Sequence, residues 1–359
     1  MTGSAVKVSM PVRPQRCAAA VLALAVSVNA AEPLHLGALI FGVPHQYNNE
    51  WAIANLEDGA VRLLPRSRTT THSSGWDLWS GTTTRELVRV SSGGDIEFFD
   101  RATLGRTGGF TLAGMPGTDR PAIFGAAMAS PDGRHVLAYW KPDWHSREPE
   151  IAVFDRNGTV VQNGSPFKYD ALRVRSAIAW LPDSRHYVYL TDDKIVVREV
   201  GSDSVWHLPL RLPAGVGTAN SELAVSPDGK RLALSLATDL PNGKGLRTGY
   251  NLIFIASLDG SGMRQLTGPS ERVQRQGISM GHESPSWSPD GRWLIFTQRE
   301  SSPYGGMSLY SNSRCTNVIA VPVDAAVHAV DGRDDPTAMV LHAGKARVVS
   351  CEQVQWLAP

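Results

Sequence analysis

Cysteine is scarce in this chain, with three residues in 359. That excludes a disulfide-dense scaffold and a cysteine-rich metal module. An excess of one charge is also missing: 35 Lys and Arg stand against 34 Asp and Glu, without a basic run or stripe. Nucleic acid is therefore not an expected partner. Beyond the first thirty residues no stretch is apolar enough for a membrane helix, and helical periodicity is absent. No cofactor motif and no metal-ligand pattern occurs, so no cofactor and no metal are expected. Asp331-Gly332-Arg333-Asp334-Asp335 is acidic but lacks the ligand spacing of a calcium loop. Gly277-Ile278-Ser279-Met280-Gly281 fits G-x-S-x-G by letter. That motif needs a helix after it. Here His282-Glu283-Ser284-Pro285 and a strand follow, so it reads as a Gly-rich loop and no catalytic residue is assigned.

The first thirty residues have a different character. Lys7, Arg13 and Arg16 precede a short apolar run, Cys17 to Val28, and Val28-Asn29-Ala30 puts small residues before a cleavage point. Residues 1–30 are expected to be a signal peptide cleaved after Ala30, leaving 31–359 as one domain in a periplasm or outside the cell. Its removal leaves 32 basic against 34 acidic residues. Cys315 and Cys351 are then the remaining cysteines, and in an exported chain they are expected to pair. The bond would contribute roughly 3–4 kcal/mol in the chain-entropy model.

What the chain does have is a repeated phrase. Ser130-Pro131-Asp132-Gly133, Leu181-Pro182-Asp183-Ser184, Ser226-Pro227-Asp228-Gly229 and Ser288-Pro289-Asp290-Gly291 lie 51, 45 and 62 residues apart, measured between the Asp positions. Each is followed by a basic residue and an apolar strand, as in Arg292-Trp293-Leu294-Ile295-Phe296. Pro presets φ, Asp and Gly suit the next turn positions, and Ser can cap with its hydroxyl, so each phrase closes a tight hairpin. Further on in each repeat, Asp58-Gly59, Asn157-Gly158 and Asp259-Gly260 mark a second hairpin. Two hairpins per repeat make a four-stranded antiparallel blade.

The predicted fold is all-β: a β-propeller of six blades, with seven as the alternative. Five blades fall at 74–112, 124–163, 174–210, 219–267 and 282–350, the last long enough to hide strands of a seventh. Gln355-Trp356-Leu357-Ala358-Pro359 repeats Ala179-Trp180-Leu181-Pro182 but lacks the following strand, which Leu36-Gly37-Ala38-Leu39-Ile40-Phe41 supplies. The C-terminal strand is expected to complete the first blade and close the ring, leaving no open edge in the circle.

The phrase Trp287-Ser288-Pro289-Asp290-Gly291-Arg292-Trp293-Leu294-Ile295-Phe296 resembles the repeat of TolB-type β-propellers. The resemblance covers about 35–359 and implies the fold. TolB carries an α/β domain before its propeller; here the propeller is expected to follow the signal directly. Similar repeats build the propellers of prolyl-oligopeptidase-like peptidases and some polysaccharide lyases.

Repeat register supplies site candidates. Positions four and five residues before the reference Trp of each repeat fall at the loop leading into the innermost strand, which rims one mouth of the channel. The first set is small or acidic and the second is polar around Phe124; convergence on an axis accounts for the small ones. His282, Glu283, Arg175, Asn220 and Glu352 are larger and polar, and are the candidate ligand contacts. Trp140, Trp144 and His145 form a secondary candidate loop. The expected function is a non-catalytic, exported interaction scaffold that binds another envelope protein or a glycan. The alternative is a hydrolase or lyase for a peptide or polysaccharide, with His282, Glu283 and Arg175 as base, acid and charge stabiliser.

Overall fold

The computed structural model describes residues 37–43, 50–56, 58–65, 77–81, 85–91, 94–111, 123–141, 150–162, 178–191, 193–241, 247–276, 279–301, 316–324, 327–330, 339–340, 342–343, 346–347, 349–350 and 354–357. The predicted leader, 1–30, lies outside them, as do Cys315 and Cys351. No described helix is long and apolar enough to cross a membrane.

Four sheets have four antiparallel strands each. In the second unit, Asp77–Gly81, Glu86–Ser91, Asp95–Asp100 and Arg106–Thr111 pair in sequence order. The third begins with Ile123–Ala129 and the fourth with Ile178–Trp180. A nine-stranded sheet contains two further antiparallel units. One starts with Val216–Val225 and the other with Ser279–Trp287, and a short parallel pairing, Tyr250 with Met280 and Asn251 with Gly281, joins them. The long stretch after 324 pairs onto existing elements: His328–Val330 lies along Thr267–Pro269, and Met339–Val340 and Val349–Ser350 lie along Thr316–Pro322. No further four-stranded sheet forms there among the described residues. One short helix, Glu271–Gln276, was not anticipated. Six residues are too few to show a helical period, and Gln274 N–H bonds back to the Ser270 carbonyl in its first turn.

The first unit combines the two ends of the described chain. Val354–Leu357 pairs with Ala38–Val43 in the register Ala38 to Leu357 and Phe41 to Val354. Glu50–Asn55 and Val61–Leu63 complete that sheet. Gln355 then reaches the second unit: Gly81 N–H donates to Gln355 Oε1 at 2.8 Å, and Gln355 Nε2 donates to Gly81 O at 3.3 Å. On the other side Trp356 N–H donates to Ser286 Oγ of the sixth unit at 2.9 Å. The closing strand is thus hydrogen-bonded to three units, including its own.

Burial follows distance from the axis. Second and third strands such as Glu86–Ser91 and Lys194–Glu199 are almost wholly buried, because neighbouring units cover both faces. Outer strands such as Val61–Leu63 and Arg106–Thr111 are exposed. The reference tryptophans are buried between units. Trp180 Nε1 donates to the Met128 carbonyl and Trp287 Nε1 to that of Ala224, each at 3.1 Å in the preceding unit. Burying so large a ring contributes roughly 2–3 kcal/mol, and the indole N–H stays satisfied.

The repeated turns form as their residues dictate. Ser130 Oγ donates to Asp132 Oδ1 at 2.6 Å and accepts from His135 N–H at 3.0 Å. Asp132 Oδ1 accepts from Arg134 N–H at 3.0 Å. Ser226 with Asp228 and Ser288 with Asp290 repeat this pattern. The second phrase departs from it at two positions. With Leu181 in place of Ser, Asp183 Oδ1 itself takes the N–H groups of Arg185 and His186. With Ser184 in place of Gly, the backbone still adopts φ of 58°. Ser184 Oγ accepts from Asp132 N–H of the preceding unit at 3.0 Å, a contact glycine could not make.

Candidate functional site

The first strands of the six units line a central channel with a cavity of about 400 Å³. Its wall is apolar where Met128, Ile178, Leu223 and Val354 face it. Pro131, Pro182, Pro227 and Pro289 of the repeated turns line the same cavity. None of the described residues lining it is ionisable; its polar side chains are those of Ser80, Ser226, Ser284, Ser286 and Gln355 beside the tryptophan indoles.

The innermost strands are irregular upstream of the wall. In the fifth unit Gly217 lies opposite Ala237, yet Glu222 lies opposite Ser235. In the sixth, register shifts between Glu283 and Ser286. In the third it shifts between Phe124 and Ala126. Such bulges re-aim side chains at a barrel or channel rim. Ser284, just before Pro285, has φ of 55°, a left-handed conformation that costs a non-glycine residue about 1 kcal/mol or more. Its N–H donates to Glu222 Oε2 of the fifth unit, which holds the bulge in place.

The candidates from repeat register fare unevenly. His282 has no exposed surface. Its Nδ1 lies 2.7 Å from Thr267 Oγ1, and its ring centroid lies 4.8 Å from that of Phe296. Thr267 Oγ1 also accepts from Ile253 N–H at 2.9 Å, so this hydroxyl links the ring to the backbone of the fifth unit. Nε2 is buried without a hydrogen-bond partner. Burial pushes the His282 pKa down to about 3, so the ring is neutral across physiological pH. Solvent does not reach it in this conformation, and it cannot titrate near neutrality as a rim histidine would. Glu283 follows it and is half-buried, with its carbonyl accepting from Thr297 Oγ1 at 3.1 Å. Asn220 belongs to the Val216–Val225 strand and Trp140 to His135–Lys141. Arg175, Glu352, Trp144 and His145 lie outside the described residues. Of the His282–Glu283–Arg175 constellation, His282 and Glu283 are therefore the members within the described residues. Among the described residues no group of three His, Cys, Asp or Glu side chains could hold a metal ion.

Sequence reasoning missed Gln355. It stands one residue before its reference Trp, where the other repeats carry Ser286, Ala179, Ala224 and Met128. An amide there was the visible signal, and its two bonds to Gly81 explain it.

The repeated antiparallel units build a β-propeller. No family model matches the chain, and no curated protein matches it. Solved structures do resemble the propeller. A chain assigned as TolB from Agrobacterium tumefaciens is 15% identical, with 80% of this chain and 84% of that one covered at a TM-score of 0.48. Hydrazine synthase from Kuenenia stuttgartiensis is 15% identical, with 68% and 62% covered at 0.42. The Cps50 (Swd1) β-propeller domain from Myceliophteria thermophila is 13% identical, with 77% and 88% covered at 0.43. The architecture of the propeller rests on its own strand pairing, not on these likenesses.

Proposed function

We propose that this propeller is an exported, non-catalytic interaction scaffold that receives an apolar segment of another envelope protein in its central channel. The observation that carries this reading is the character of the channel wall: aliphatic and proline side chains, with no ionisable group among its described residues. Such a wall gains from burying apolar surface. It supplies neither a general base nor an activated nucleophile, which a hydrolase or lyase needs. His282, the base in the enzymatic alternative, is buried, which supports the non-catalytic reading.

Export rests on the leader-like residues 1–30, and the proposed location is a periplasm or the cell exterior. The Cys315–Cys351 bond belongs to the same reading. Thr316 lies opposite Ser350, and Asn317 opposite Val349. Thr316 and Ser350 are the sequence neighbours of Cys315 and Cys351, and their pairing supports the proposed bond.

The test is Met128→Lys, which places a charge on the wall. Envelope proteins cross-linked to the wild-type propeller should be lost with this variant while its melting curve stays cooperative. Unchanged capture by Met128→Lys would place the interaction elsewhere. Turnover of peptide or polysaccharide substrates by the purified propeller would overturn the non-catalytic reading.

A further inference from the structure

A second concave site lies on the rim, away from the channel and independent of the channel's role. Between the fourth and fifth blades a cleft of about 680 Å³ is lined by Trp206, Leu208, Asp228, Lys230, Ser257 and Asp259, among others. Trp206 is 45% exposed, on the outer strand Val205–Pro209. Exposed indoles are uncommon, and this one is fixed rather than loose. Its backbone pairs opposite Val197. Its ring meets that of His186 edge-on, with centroids 5.4 Å apart, and His186 Nδ1 is in turn 2.6 Å from Asp183 Oδ2.

The opposite side of the cleft comes from two turns of the fifth blade, and both are rigid. Asp228 Oδ1 is held by Ser226 Oγ and Lys230 N–H, and Asp259 Oδ1 by Ser261 N–H. Leu258 N–H bonds to the Lys230 carbonyl and ties one turn to the other. The charges balance: Asp228 and Asp259 face Lys230 and Arg231, so no net field selects an anion or a cation. What remains is one flat apolar surface beside a set of fixed acceptors and donors.

We propose that this cleft binds a neutral saccharide. A pyranose presents an apolar C–H face, which suits the Trp206 indole, and equatorial hydroxyls, which both donate and accept. Asp228 and Asp259 would accept from such hydroxyls, and Lys230 and Ser257 would donate. A peptide with one charge sign would gain nothing from the balanced rim, and a purely apolar ligand would strand the four polar groups unpaired.

Isothermal titration of the leader-free chain with chitotetraose, cellotetraose and mannotetraose tests the proposal. One of the three should bind at millimolar to micromolar Kd. Raising salt to about 0.5 M should leave that Kd within roughly twofold, because the ligand is uncharged. Trp206→Ala should weaken binding by about tenfold or more, Trp206→Phe should restore part of it, and Lys230→Ala should weaken it without lowering the melting temperature. The idea is overturned by an absence of heat with all three sugars at about 20 mM. It is equally overturned by Trp206→Ala binding as tightly as the wild type, or by affinity that collapses with salt.

Discussion

Acidification should destabilise this propeller in a pH window set by one residue. His282 is buried neutral, with a pKa near 3 against about 6.5 in an unfolded chain. A histidine whose folded pKa lies below its unfolded value contributes its full stability above about pH 6.5. That contribution is lost as pH falls, at up to about 1.4 kcal/mol per unit, until the folded form also protonates near pH 3. Between pH 7.5 and pH 5 the loss comes to roughly 2 kcal/mol. The physical cause is local. Thr267 Oγ1 satisfies Nδ1, Phe296 covers the ring, and Nε2 has no acceptor for a charged ring to use. The assay is urea unfolding followed by tryptophan fluorescence at pH 7.5, 6 and 5, for wild type and His282→Gln. Glutamine keeps a polar group beside Thr267 and removes the titration. The wild-type midpoint should fall with pH more steeply than that of the variant, by an amount equivalent to roughly 2 kcal/mol across the window. Parallel midpoints for the two proteins would refute the assignment of a buried neutral imidazole.

Further outcomes follow from other contacts. Gln355→Leu removes both bonds to Gly81 and should cost about 1–2 kcal/mol, whereas deleting 352–359 should lower the melting temperature much further by opening the first blade; a deletion that melts as wild type would disprove ring closure. Arg156 and Glu86 form a bidentate pair at 2.5 Å linking the third and second blades. Glu86 is held below the usual carboxylate range, first by the Arg156 hydrogen bond and against an opposing effect of burial. The pair therefore stabilises the fold above the ordinary glutamate pKa and loses this contribution as pH falls through the lowered one. Glu86→Gln should cost about 1 kcal/mol at neutral pH, measured by chemical denaturation, and the difference should vanish in strong acid. Ser184→Ala should cost about 1 kcal/mol by orphaning Asp132 N–H, while Ser184→Gly should be near neutral because relief of the left-handed φ offsets the same loss. Mass spectrometry of the unreduced mature chain should find it two hydrogens lighter than the reduced one, and labelling of both thiols without reductant would exclude the disulfide.

The architecture was legible because it is written in local chemistry. A Ser hydroxyl, an Asp carboxylate and a Pro ring fix each turn within a few residues, and the strands beside it are apolar enough to be buried on both faces. Closure by Val354–Leu357 was legible for a related reason: an inner-strand ending without its continuation needs a partner. The site was less legible. Repeat register predicts depth along the channel, but a bulge of a single residue changes which way a side chain faces. Register shifts occur upstream of the wall in the third, fifth and sixth blades, and His282 sits beside one of them, buried where register alone had put it on a rim. Trp206 left almost no signal, since an outer-strand tryptophan looks the same in sequence whether a neighbouring blade covers it or not.

The first blade is made of strands from opposite ends of the described residues, so its closure depends on a pairing of very long range. Ala38–Val43 has its outer neighbour, Glu50–Asn55, close by in sequence, whereas its inner neighbour, Val354–Leu357, is some three hundred residues away. Every other blade can form from contiguous sequence as it emerges. Completing this blade requires Val354–Leu357 to enter between Ala38–Val43 and the axis, against both flanking blades at once. Without that strand Ala38–Val43 presents an unpaired inner edge, the kind of edge onto which a strand of another molecule can add.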